Sequence, residues 1–259
     1  MSGTSETLFS GGALLGYFLS GTVYLLLPAA VFLWMRRYGA ARIYPVIVGV
    51  TAYYLSVRFS DIFAHMIGFS QPAGNQAVIA AEMVCILEEA ARWLAMRWQI
   101  TDIRTTRAAV CYGIGHGGLE CWIRGVQKFQ IFHAGQQVNA GAESAFSAAR
   151  LAAFADHPLW LSLLDCLESA VIFGVQIALS LLIFRKMTET HYEKRWLLCA
   201  ILLHYLMNGS GWLASLSGDA ALCSFVGIVC GGIVIWIVCR LIRIAECMDE
   251  IRWPLTEEQ

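Results

Sequence analysis

The sequence predicts an all-α polytopic membrane bundle of about seven transmembrane helices, N-terminus outside and C-terminus cytoplasmic. Of 259 residues, 58% are hydrophobic and 14% charged, and the mean hydropathy is +0.60, far too apolar for an ordinary water-soluble domain. Apolar runs of about twenty residues recur along the chain, the length a helix needs to cross a bilayer core. Lys and Arg are biased toward alternate connections, as the positive-inside rule expects.

The first run lies near 12–35. Met1 to Ser10 before it has no basic region, so the run reads as a membrane helix rather than a cleaved signal. Further spans lie near 44–68, 76–97, 108–131, 159–184, 195–215 and 220–242. A transmembrane barrel would need shorter, alternating segments. Arg36, Arg37 and Arg42 follow the first span, and Arg97, Arg104 and Arg107 the third. Arg185, Lys186, Lys194 and Arg195 follow the fifth, and Arg240, Arg243 and Arg252 the seventh. The opposite loops, Ser70 to Asn75 and Ser217 to Asp219, carry neither Lys nor Arg.

Residues 1–259 read as one integral membrane domain, with no dividing linker and no inverted repeat of the transporter kind. The longest connection, His133 to Pro158, sets Phe146, Leu151 and Phe154 on one helical face; it reads as a helix on the outer membrane surface or as a plain loop. Gly12 with Gly16, and Gly227 with Gly231, have the spacing that lets helices approach closely. Cys85, Cys111, Cys166, Cys199, Cys223, Cys230 and Cys239 fall within apolar stretches, without a CxxC pair, and read as packing residues. The net charge of −1 points to no nucleic acid. The partner it does require is the lipid bilayer, and a bacterial inner membrane suits the pattern.

Ionisable side chains at bilayer depth are costly, so each is a candidate site residue. Span three carries Glu82, Glu88, Glu89 and Arg92; span four carries Tyr112, His116 and Glu120; span six carries His204 and Asn208. Glu88 and Glu89 lie roughly nine residues from Arg97, His116 as far from Arg107, and His204 as far from Arg195, about 13 Å in from the flanking charges. Acid and imidazole from three helices therefore share one layer, as a single site facing a cytoplasmic cavity would require.

Within each helix, residues three or four apart share a face. Glu89 can pair with Arg92, which leaves Glu88 as the spare carboxylate for a general base. His116 shares a face with Glu120, and His204 with Asn208. Gly113, Gly115, Gly117 and Gly118 clear the backbone around His116 for a substrate or a neighbouring helix. Arg58 and Asp61 read as a self-satisfied ion pair or a substrate gate, and Asp165 and Glu168 as outer lining of the cavity.

The Glu-Glu helix with its trailing Arg92, the aromatic-xxx-His helix ending at His116, and the His204-xxx-Asn208 helix resemble the CPBP (Abi) superfamily of intramembrane peptidases, which includes the type II CAAX endopeptidases. Gly115-His116-Gly117-Gly118-x-Glu120 is similar more particularly to the YhfC family of membrane peptidases. The resemblance implies glutamate-type hydrolysis of a hydrophobic or lipid-anchored peptide or protein. Glu88 would be the general base, His116 its partner, His204 with Asn208 the oxyanion donors, and Glu89 the partner of Arg92. Arg92 stands three rather than four residues after the second Glu, which keeps both Glu88 and Glu89 as candidate bases; Tyr112 stands where Phe is usual.

Glu88, His116 and His204 also have the chemistry of a zinc or other divalent-metal site with water in the fourth position, although the helix lacks His-Glu-x-x-His. Metal-dependent and metal-free hydrolysis both fit the residues. Other readings stay open on the sequence: a proton-coupled transporter, a bis-His haem protein on His116 and His204, or a non-catalytic membrane protein for partner binding or immunity.

Overall fold

A computed structural model describes the backbone of residues 8–38, 41–68, 73–100, 105–188 and 193–252. Side chains are described throughout these segments except at 67–68, 73–82, 185–188, 193–194 and 244–252. The position or the side chain of Glu82, Arg104, Arg185, Lys186, Lys194 and Arg252, and most of the Ser70 to Asn75 loop, therefore lie outside the described residues.

Eight α-helices account for most of the described residues, and no strand occurs among them. They are α1 (Gly11–Arg37), α2 (Ile43–Gly68), α3 (Ala73–Leu94), α4 (Thr106–Asn139), α5 (Ala148–Ala155), α6 (Leu159–Thr188), α7 (Glu193–Ser215) and α8 (Ala220–Arg252). A single π-helical turn, Ala95–Gln99, continues α3. Five helical segments are long and apolar enough to cross a membrane: Gly11–Arg37, Ile43–Met66, Leu159–Phe184, Arg195–Ser215 and Ala220–Arg243. The chain is an integral membrane protein. Helix α4 is the longest and least apolar of the long helices, because it carries Tyr112, His116, Glu120, Arg124 and Lys128.

Local chemistry sets the helix ends. The Ser10 hydroxyl accepts from the Ala13 amide at 3.0 Å and the Thr105 hydroxyl from the Ala108 amide at 3.1 Å, each capping the first turn of its helix. The Asn139 side chain closes α4 by bonding both backbone groups of Phe9, at 2.8 Å each, tying the end of α4 to the start of α1.

Helix α4 is the central element, packed by α1, α2 and α6. Its glycines make that packing possible. A Cβ on Gly115 would overlap the Val46 carbonyl of α2, and one on Gly113 would stand 2.7 Å from the Ile177 Cα of α6. The room around His116 is thus taken up by neighbouring helices. Gly16 and Gly231 likewise admit Ser162 and Val171 of α6, whereas Gly12 meets only its own Ser10.

The long connection forms a short helix, α5, and folds inward. Leu151 and Phe154 pack with Phe9 and Tyr17 in a small apolar cluster, and Phe146 meets Phe154 edge-on at 5.7 Å. Arg58 and Asp61 face each other at 3.9 Å with both side chains more than half exposed, so they form the self-contained pair. No disulfide forms among the described cysteines.

Candidate active site

Consecutive residues on an α-helix point about 100° apart, so Glu88 and Glu89 look toward different neighbours of α3. Glu88 Oε2 lies 3.0 Å from His116 Nε2 on α4, and Glu89 Oε1 lies 2.8 Å from His204 Nδ1 on α7. The two acid–imidazole pairs touch across Glu88, whose Oε2 is 3.8 Å from His204 Nε2. Glu88 is 3% exposed, His204 1%, and Glu89, His116 and Arg92 not at all, so the cluster lies within the bundle.

Arg92 anchors this cluster. Its Nε faces Glu89 Oε2 at 3.1 Å, one turn back on α3. Its Nη1 donates at 2.6 Å both to the Gln176 carbonyl and to the Ser180 hydroxyl, and its Nη2 donates to the Gln176 side-chain oxygen. The guanidinium carbon also stands 6.0 Å from the Tyr112 ring centre. A guanidinium has donors only, so it fixes which end of the Gln176 amide faces it. The Gln176 NH2 then points to two carboxylates, Glu120 Oε2 at 3.0 Å and Glu88 Oε2 at 3.4 Å.

With Glu88 Oε2 accepting from Gln176, the neutral His116 tautomer consistent with the network carries its proton on Nε2. Nδ1 then accepts from the Tyr112 hydroxyl, 3.4 Å away. The Tyr112 and His116 rings are stacked with centres 5.7 Å apart, and Tyr53 of α2 packs edge-on against His116 at 5.2 Å.

Of the residues singled out in the sequence, Glu88, Glu89, Arg92, Tyr112, His116 and His204 come together directly. Glu120 joins them through Gln176 and pairs with Arg124 at 2.8 Å. Asn208 sits one turn along α7 from His204, and its amide donates to the Cys85 thiol at 3.3 Å rather than to either acid. Asp165 and Glu168 border a separate polar pocket, where Asp165 pairs with Lys128 and with His157. Gln176 and Ser180 were missed, because a neutral side chain in an apolar run does not register as a charge. The signal available was that Gln176 is the one amide side chain in α6.

Among the described residues no group of three or more His, Cys, Asp or Glu side chains stands in metal-binding geometry. The donor chemistry nonetheless fits a divalent cation. Both Nε2 atoms face one carboxylate oxygen, and each Nδ1 has its own partner, Glu89 for His204 and Tyr112 for His116. Such outer hydrogen bonds orient metal-binding imidazoles.

No solved structure matches the chain. It is 24% identical over 209 residues to the uncharacterized membrane protein YhfC of Bacillus subtilis (strain 168), an alignment covering 73% of this chain and 80% of that protein. The sequence pattern of the YhfC intramembrane metalloprotease family matches residues 23–230, a stretch that contains every member of the buried acid–imidazole cluster. The chain belongs to the YhfC intramembrane metalloprotease family.

Proposed function

We propose that this protein is an intramembrane endopeptidase, a single domain that hydrolyses a bond in a hydrophobic or lipid-anchored peptide within a bacterial inner membrane. The observation that carries the reading is the pair of buried acid–imidazole contacts, Glu88 with His116 and Glu89 with His204, supplied by three helices. Buried titratable groups gathered at one point have a structural cost, and hydrolysis gives them a use.

Glu88 is the general base. Its charge is held by hydrogen bonds from His116 and Gln176, whereas Glu89 is engaged by both Arg92 and His204. Glu88 takes a proton from water and returns it to the leaving amine. His116 orients Glu88, and Tyr112 orients His116. His204 and Asn208, on one face of α7, donate to the oxyanion; a thiol is a weak acceptor, so Cys85 holds the Asn208 amide only loosely. In the metal-dependent form of the reaction His116, His204 and Glu88 would instead hold a divalent cation such as zinc, in place of these base and oxyanion roles, and the cation would supply a Lewis acid at the scissile carbonyl.

The reading includes seven spans, with α3 and α4 crossing beside the apolar five, the N-terminus outside and the C-terminus cytoplasmic. Peptide substrate then approaches a cytoplasm-facing cavity at the end of the bundle that carries Arg36, Arg97 and Arg107.

The test is cleavage of a library of hydrophobic and lipid-anchored peptides by purified protein in lipid. Wild type should cut, and Glu88→Gln and His116→Ala should not while remaining folded. Equal cleavage by wild type and Glu88→Gln would remove the assignment.

A further inference from the structure

Hydrolysis needs water as well as peptide, and a base that is 3% exposed has to receive it by some route. A polar cavity lies at the end of the bundle where α1 begins and α5 packs, opposite the basic connections. It has a volume of about 520 Å³ and is bordered by Tyr24, Arg124, Gln127, Lys128, Asp165 and Glu168, among others. At ~30 Å³ of liquid per molecule this is room for many waters, and the walls offer both donors and acceptors.

The pocket does not end at its walls. On α4, His116, Glu120, Arg124 and Lys128 follow at four-residue spacing and form one polar stripe running from the candidate site to the pocket. On α6, which packs against α4, Gln176, Glu168 and Asp165 share the facing stripe. The hydrogen bonds link up along it: Arg124 donates to Glu120 at 2.8 Å, and Gln176 donates to Glu120 at 3.0 Å and to Glu88 at 3.4 Å. The innermost carboxylate of the pocket side, Glu120, is thus separated from Glu88 by one amide group. Arg124, Lys128 and Asp165 all border open volume, so the outer end of the stripe adjoins the pocket directly.

We propose that this pocket is the water vestibule of the candidate active site, and that Glu120 and Gln176 form its inner wall, through which solvent exchanges with Glu88. The inference rests on the peptidase reading for its purpose, not for its measurement. Peptide and water would then reach the site from opposite ends of the bundle. The apolar groove between α2 and α3, lined by Leu55, Phe59, Leu87 and Trp98, provides the dry reference.

The test is hydroxyl-radical footprinting of the full chain in lipid vesicles, which oxidises side chains that adjoin water. Tyr24 borders the pocket, Tyr53 stands beside His116, and Phe59 lies in the apolar groove. Tyr24 and Tyr53 should be labelled and Phe59 should not. The pocket is then plugged by Gln127→Cys treated with a sulfonated thiol reagent, with the unsubstituted chain treated identically as baseline. The plug should abolish labelling of Tyr53 and leave the baseline chain unchanged. A Tyr24 as silent as Phe59, a Tyr53 silent from the start, or a Tyr53 still labelled behind the plug would each overturn the vestibule. Because oxidation is read rather than cleavage, a chain that cuts no peptide can still confirm it, and an active peptidase can still refute it.

Discussion

His204 turns its Nδ1 to Glu89 at 2.8 Å and keeps its Nε2 toward Glu88. That orientation divides the labour of two adjacent acids. Glu89 meets an imidazole and a guanidinium, and in the proposed mechanism Glu88 is the acid left to act on a substrate water.

The first prediction separates the two acids. Glu88→Gln should lower kcat by roughly 10²–10⁴-fold, the usual contribution of a general base, with little change in the unfolding temperature. Glu89→Gln should lose stability as well, by about 3–5 kcal/mol, because it leaves the Arg92 charge buried without its partner. Peptide turnover and thermal unfolding on the same preparations decide this. A stable Glu89→Gln beside an unfolded Glu88→Gln would reverse the assignment.

Gln176→Leu removes the acceptor of Arg92 Nη2 and the donor shared by Glu88 and Glu120. Leaving such buried groups unpaired costs about 1–3 kcal/mol each, so the variant should unfold at a clearly lower temperature than wild type. Ser180→Ala, which deletes one of several Arg92 partners, should cost less.

The glycine contacts give a stability contrast. Gly115→Val and Gly49→Leu should prevent α2 and α4 from seating, since each new side chain would meet backbone of the facing helix. Gly232→Ala meets nothing within 4 Å and should be neutral or slightly stabilising, by about 0.5–1 kcal/mol. Yield of folded protein by size-exclusion chromatography would check both.

A bound divalent cation would be lost from His116→Ala and from His204→Ala, and kept by Arg58→Ala, whose side chain lies on the exposed face of α2. Elemental analysis of the purified proteins reads this without reference to activity. Equal metal content in all three would exclude the proposed donors.

Much of this arrangement was legible from charge in an apolar background. Glu88, Glu89, Arg92, His116 and His204 stand out because each is expensive in lipid, and their distance from the flanking Arg residues already set them at one depth. Gln176 and Tyr53 did not stand out, since an amide or a phenol in an apolar run carries no such marker. The glycines of α4 signalled close approach but not the partner, which depends on how α2 and α6 fold back in three dimensions. Asp165 and Glu168 border a polar pocket beyond the buried acid–imidazole cluster. Charge alone does not say that Lys128 and His157 wait beside Asp165.

The reach of Arg92 across to α6 has a mechanical consequence. Helix α3 packs closely on α2 and meets α7 at Glu89–His204, but touches α6 only sparsely, and there the bridge is Arg92 to Gln176 and Ser180, with Glu88 to His116 beside it on α4. The site is therefore also a seam, where polar atoms join α3 to α6 and α4. A peptide amide that borrows those donors and acceptors borrows the stitching too, so chemistry and cohesion draw on the same few atoms.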